Sequence, residues 1–151
     1  MNNSIVEILL IEDDEHDAEM TIRALQKSRI TNGVVHLKDG SQALQFLFGT
    51  GEFAGRNVNM KPKVILLDLK MPKVDGIEVL QQIKSNELTK KIPVVVLTSS
   101  KENPDIDTCY ALGANSYIVK PVDFAGFMEA IAHSGMYWVM LNQFPQQSKV
   151  S

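Results

Sequence analysis

Residues 64–72 read Val-Ile-Leu-Leu-Asp-Leu-Lys-Met-Pro: four apolar residues in succession, a carboxylate at Asp68, and a proline soon after. Alternating polarity would mark a strand with one wet face, whereas an unbroken apolar run marks a strand covered on both faces. Asp68 therefore closes a strand whose neighbours shelter it, and burying a lone carboxylate is costly unless it is paired. A capping role explains it poorly, because Leu69, Met71 and Pro72 intervene before a helix can start near Asp75 or Gly76.

Outward from this stretch, apolar runs at 7–11, 34–37, 94–97 and 117–119 predict four more strands. Between them Ala18, Ile22 and Leu25 recur at helical spacing, as do Ile77, Leu80 and Ile83, and Phe124, Phe127 and Ile131. Each triplet predicts a helical stripe turned to the core. Further helices are expected from Ser41 to about Phe48 and from Pro104 to about Leu112, with Gly113 as the stop. Strands alternating with helices define an α/β chain with a parallel, doubly wound sheet and helices on both faces. The connection 49–63 is long and holds Gly49, Gly51, Gly55 and Pro62. It resembles a dinucleotide-binding loop only loosely, because it follows a helix where that fingerprint needs a strand.

The chain has 151 residues, 44% hydrophobic and 22% charged, enough to fill the core of one domain and too apolar for disorder. Fifteen basic and 18 acidic residues give a net charge of −3, which excludes a dedicated nucleic-acid binder. Cys109 stands alone and can form no internal disulfide. The apolar runs are strand-sized, far short of the roughly 20 residues a membrane helix needs. With no signal segment at its start, the chain is expected to be cytoplasmic.

Polar residues gather where the apolar strands stop. The first strand runs into Glu12-Asp13-Asp14-Glu15-His16-Asp17, where helix capping and an acidic first turn account for some of the acids but not for Glu12 at the strand end. The fourth strand ends in Thr98-Ser99-Ser100 and the fifth in Lys120-Pro121. In an open parallel sheet all carboxyl ends face one crevice, so Glu12, Asp13, Asp68, Thr98 and Lys120 would share a pocket. Hard carboxylate oxygens suit Mg²⁺, while an ammonium and a hydroxyl suit the oxygens of a phosphoryl group. Asp68, standing singly, is the best nucleophile for phosphoryl transfer to a carboxylate. His36 and His133 read as structural or exposed, and His16 as an exposed first-turn residue.

These motifs resemble the two-component response-regulator receiver domain along nearly the whole chain. The resemblance rests on Ile8-Leu-Leu-Ile-Glu-Asp-Asp, on 64–72 with Asp75-Gly76, on Pro93-Val-Val-Val-Leu-Thr-Ser, on Gly113-Ala-Asn-Ser-Tyr and on Val119-Lys-Pro-Val. It implies a flavodoxin-like five-stranded sheet of order 2-1-3-4-5, with Asp68 as phosphoacceptor. It implies Glu12 and Asp13 as the acidic pair, and an Mg²⁺ or Mn²⁺ site of Glu12, Asp13, Asp68 and the backbone carbonyl of Lys70. Thr98 would be the switch hydroxyl, Tyr117 the aromatic that changes rotamer with it, and Lys120 the phosphate-pairing lysine, joined to Pro121 by a cis bond. A register shifted by one would make Asp13 and Asp14 the acidic pair instead.

On this reading residues 1–151 form a single receiver domain, with a core at about 5–135, an extension at 136–151 and no output domain. The long 49–63 connection and the extension resemble a subgroup of single-domain regulators that includes partners of bacterial phytochromes. The expected partner is a histidine kinase, of phytochrome type among others, or a histidine phosphotransfer protein, with no direct contact to nucleic acid or membrane. Exposure of Trp138 beside Tyr137 would suggest a homodimer or kinase surface. Two other classes stay open on the residues alone. A phosphatase using an aspartyl phosphate wants a second acid where Lys70 stands, and a flavodoxin-like cofactor binder wants a phosphate loop where the first strand meets acids.

Overall fold

Five strands form one parallel sheet in the order β2-β1-β3-β4-β5: β1 (Ile8–Ile11), β2 (Val34–Leu37), β3 (Val64–Asp68), β4 (Val94–Thr98) and β5 (Ser116–Val119). The helices are α1 (Glu15–Lys27), α2 (Gly40–Phe48), α3 (Gly76–Ser85), α4 (Asn103–Ala111) and α5 (Phe124–Ser134). The computed structural model describes residues 7–27, 33–71, 74–99 and 103–134. Tyr137, Trp138 and the 136–151 extension lie outside these residues, as do Ser100 and the side chains of Ile131 and His133.

The period of two along each strand divides the core. Ile8, Leu10, Val64, Leu66, Val95 and Leu97 face Ala18, Leu25, Phe127 and Ala130 of α1 and α5. Leu9, Ile11, Ile65, Leu67, Val94 and Val96 face Ala43, Phe46, Val79, Leu80 and Cys109 of α2, α3 and α4. Both faces are covered, which is why these strands carry no alternating polarity.

Three expectations need correction. β3 and β4 each run one residue further than the apolar pattern, because Asp68 pairs with Leu97 and Thr98 with Val119 in the ladders. Both polar residues are thus held by strand backbone. Phe124 is not a core residue: it is 41% exposed at the first position of α5, and Phe127 and Ala130 fill the core instead. The connection 49–63 is ordered by its own contacts. It contains a 3-10 turn (Gly51–Phe53), the Phe53 ring packs edge-on against Phe46, and Arg56 lies over Phe46 while donating to the Phe46 and Met60 carbonyls.

The expected helix stop at Gly113 is present. Gly113 adopts φ +109°, its N–H donates to Tyr110 O, and the Ala114 N–H donates to Cys109 O, closing α4 as a Schellman motif.

Candidate functional site

β1 delivers Glu12 to the carboxyl edge of the sheet, and two backbone bonds fix it there. Its N–H donates to Leu37 O at 3.0 Å, and its carbonyl accepts from His36 Nε2 at 2.7 Å. The Glu12 side chain is fully buried; Oε2 accepts the Asp14 N–H, and Oε1 lies 2.9 Å from Lys120 Nζ without a well-directed hydrogen bond. Asp14 caps α1, its Oδ1 accepting the Asp17 N–H at 2.9 Å. The acids whose oxygens converge are Glu12, Asp13 and Asp68.

Asp68 is buried at the end of β3. Its Oδ1 accepts the Lys70 N–H at 3.3 Å and lies 3.2 Å from Lys120 Nζ. The Lys70 side chain is exposed, so this residue meets the site through its backbone. Gly76, at the start of α3, comes so close that a Cβ on it would run into the Asp68 carbonyl oxygen.

Lys120 reaches the same point from β5. Its N–H donates to Thr98 O, the Lys120–Pro121 bond is cis, and Nζ stands among Glu12, Asp68 and Asp17. Thr98 is buried at the end of β4. With Tyr117 it lines a small cavity closed by Leu69, Val96, Ile106 and Cys109, and the Tyr117 ring packs 5.8 Å from that of Tyr110. Glu12, Asp13, Asp68 and Lys120 thus cluster at the carboxyl edge of the sheet, whereas Thr98 and Tyr117 line a separate small cavity at the ends of β4 and β5.

Two residues at this pocket escaped the sequence reading. Asp17 is legible in the sequence only as an acidic first-turn residue of α1; its pairing with Lys120 comes from the packing of α1 beside β5. His36 was read as structural or exposed; its bond to Glu12 depends on the β1–β2 register, which no local motif announces.

Electrostatics set the character of the pocket. Burial, with the nearby Glu12 charge, pushes the Asp68 carboxyl up to about 7 against the opposing pull of Lys120. For Lys120, burial opposes the charge, but the close Glu12 carboxylate, the hydrogen bond to Asp17 and the Asp68 charge outweigh it and hold the ammonium above its ordinary range. One ammonium thus faces three carboxylates, with Asp13 close to two of them. One oxygen each of Glu12, Asp13 and Asp68 lie within 4.8 Å of one another, a hard-oxygen set that a divalent cation would bridge while relieving the repulsion. The incompletely bonded Glu12 Oε1, buried in the same wall, fits that need for further positive charge.

A doubly wound sheet with an acidic, cation-ready pocket, a buried aspartate and a lysine at its carboxyl edge defines a phosphoacceptor switch. The model of the response regulator receiver domain matches residues 8–132, and the chain belongs to that family. It is 40% identical over 138 residues to the probable methanogenesis regulatory protein FilR2 of Methanothrix harundinacea, covering 91% of this chain and 86% of that one. The solved structure of the bacteriophytochrome response regulator RtBRR is similar at TM-score 0.82 and 50% identity, over 92% of this chain and 83% of that one. The Mn²⁺-bound structure of response regulator Rcp1, a protein of Synechocystis, is similar at TM-score 0.73 and 36% identity, over 91% and 96%. Receiver domains are the phosphorylated switches of two-component signalling, and this chain is one of them. Among the described residues, no helix is long and apolar enough to cross a membrane.

Proposed function

We propose that Asp68 is the phosphoacceptor of a histidine-to-aspartate phosphorelay and that this chain's own residues perform the transfer. The observation that carries the reading is the buried Asp68 carboxylate, held between Lys120 and the Glu12–Asp13 pair. A carboxylate oxygen of Asp68 attacks phosphorus, forming an O–P bond as the donor's N–P bond breaks, and the departing imidazole nitrogen keeps the electron pair. Glu12, Asp13, Asp68 and the Lys70 carbonyl would hold Mg²⁺ or Mn²⁺, which supplies positive charge to the transferring group. Lys120 pairs with a phosphoryl oxygen. The Thr98 hydroxyl turns toward another, and Tyr117 follows into the space they share. Hydrolysis of the resulting mixed anhydride resets the switch.

The donor in this reading is a cytoplasmic histidine kinase or histidine phosphotransfer protein, and similarity to phytochrome-associated regulators favours a photoreceptor kinase. Residues 1–151 act as one receiver unit that signals through protein contacts, a homodimer among them. The test is intact-mass spectrometry after incubation with acetyl phosphate. A gain of about 80 Da, one phosphoryl group, that requires Mg²⁺ and is absent from Asp68→Asn is expected; a gain retained by that variant would refute the assignment.

A further inference from the structure

Lys120 makes three short ion pairs, and one comes from outside the strand ends that build the site. Nζ lies 2.9 Å from Glu12 Oε1 and 3.2 Å from Asp68 Oδ1, while the third contact, 3.0 Å to Asp17 Oδ2, comes from the first turn of α1. Three carboxylates thus lie within ion-pair distance of one ammonium, and the contact to Asp17 is a directed hydrogen bond whereas that to Glu12 is not. A phosphoryl group on Asp68 must take one of these contacts for itself.

The three carboxylates differ in how readily they give way. Asp68 gives up its own carboxylate charge when one of its oxygens is phosphorylated, and the phosphoryl oxygens bring a larger one. Glu12 is fully buried and belongs to the acidic trio. Asp17 lies outside that trio, with its side chain 32% exposed. Its backbone is nevertheless firmly set: its N–H donates to Asp14 Oδ1 and its carbonyl accepts from Thr21 Oγ1, both at 2.9 Å. Asp17 is therefore a fixed anion on a rigid helix, drawing the ammonium toward α1.

We infer that Asp17 is a positioning residue that restrains Lys120, holding the ammonium toward α1 before phosphorylation and competing with the phosphoryl oxygens for it afterwards. The inference rests on Asp68 being the phosphoacceptor. When acetyl phosphate is the donor, the new Asp68 O–P bond forms as the donor O–P bond breaks, acetate leaves with the electron pair, and Lys120 must turn to the incoming oxygens. Asp17 weakens the field of Lys120 at phosphorus, so it slows transfer.

The experiment compares phosphorylation rates by intact mass in wild type, Asp17→Asn, Lys120→Gln and the double variant, with Mg²⁺ and acetyl phosphate. Asp17→Asn keeps the shape and deletes the charge; a gain of about fivefold is expected, the scale of a partly exposed ion pair. In the Lys120→Gln background the gain is expected to vanish. Glu15→Gln, which deletes another first-turn acid of α1 that is paired with Lys38 and not with Lys120, leaves the rate unchanged. An unchanged or slower Asp17→Asn overturns the inference, and an equal gain without Lys120 reassigns the effect to simple repulsion of the donor. Two readouts do not depend on turnover. Urea unfolding in chelator should show non-additive effects of Asp17→Asn and Lys120→Gln, and additivity would sink the pairing. Calorimetry with Mg²⁺ alone should show little change in Asp17→Asn; a loss of about tenfold or more would make Asp17 a metal-holding residue instead. If wild type takes up no phosphoryl group, the assignment of Asp68 and the restraint fall together, whereas phosphorylation without an Asp17 effect overturns the restraint alone.

Discussion

Gly76 and Asp68 touch backbone to backbone: the α3 glycine leaves no room for a Cβ beside the Asp68 carbonyl oxygen, and its N–H donates to the neighbouring Leu69 O at 2.9 Å. The loop after β3 is thus clamped onto the strand end that carries the reactive carboxylate. The Asp75 side chain, capping α3 through the Glu78 N–H, fixes where that helix starts.

Gly76→Ala should therefore perturb chemistry and stability together. The added methyl meets backbone, which cannot rotate aside, so a destabilisation of about 1–3 kcal/mol is expected, with slower phosphorylation of Asp68. Urea unfolding and intact-mass rates check both; a variant as stable and as fast as wild type would show that the clamp is soft.

The raised Asp68 pKa makes a signed prediction for the metal-free protein. The carboxyl titrates at about 7 when folded against 3.8 as its ordinary value, so between these values the folded state holds a proton that the unfolded state has released. Stability contributed by this group is present at low pH and is lost as pH rises through that window. Lys120, raised above 10.5, contributes evenly across the same window and loses its contribution only in strong alkali. In chelator, the melting temperature of wild type relative to Asp68→Asn should fall by several degrees from pH 4 to pH 8. A difference constant with pH would contradict the burial argument.

His36→Phe tests the tie on Glu12. The ring keeps its volume but loses the Nε2–H donor, so the Glu12 carbonyl loses a partner and the acidic loop gains freedom. Mg²⁺ affinity should fall by about tenfold, the lower end of the range for residues that support metal ligands. Calorimetry at one fixed pH measures it, and unchanged affinity would leave His36 with packing alone.

Lys120→Ala should still accept a phosphoryl group on Asp68 but fail to couple it to the Thr98–Tyr117 pair. Phosphorylation monitored by mass, together with Tyr117 ring signals in NMR, separates the two effects. Tyr117 signals that shift on phosphorylation as in wild type would remove Lys120 from the switch.

How far the sequence reaches depends on the range of the interaction. Unbroken apolar runs at β1, β3 and β4 and helical stripes such as Ile77, Leu80 and Ile83 are local patterns, and they sufficed for the α/β class. The parallel sheet then required Glu12, Asp68, Thr98 and Lys120 to lie on one edge, because the carboxyl ends of parallel strands share it. Phe124 misled because helical spacing marks a face but not where the core ends.

What tertiary structure alone decided is which partner each polar group finds. That Asp17 pairs with Lys120 across 103 positions, that His36 holds Glu12, and that Arg56 pins its loop to α2 follow from element packing and strand register. A short polar contact is set by distances within a few tenths of an ångström, and apolar patterning, which tolerates much larger shifts, carries no record of it.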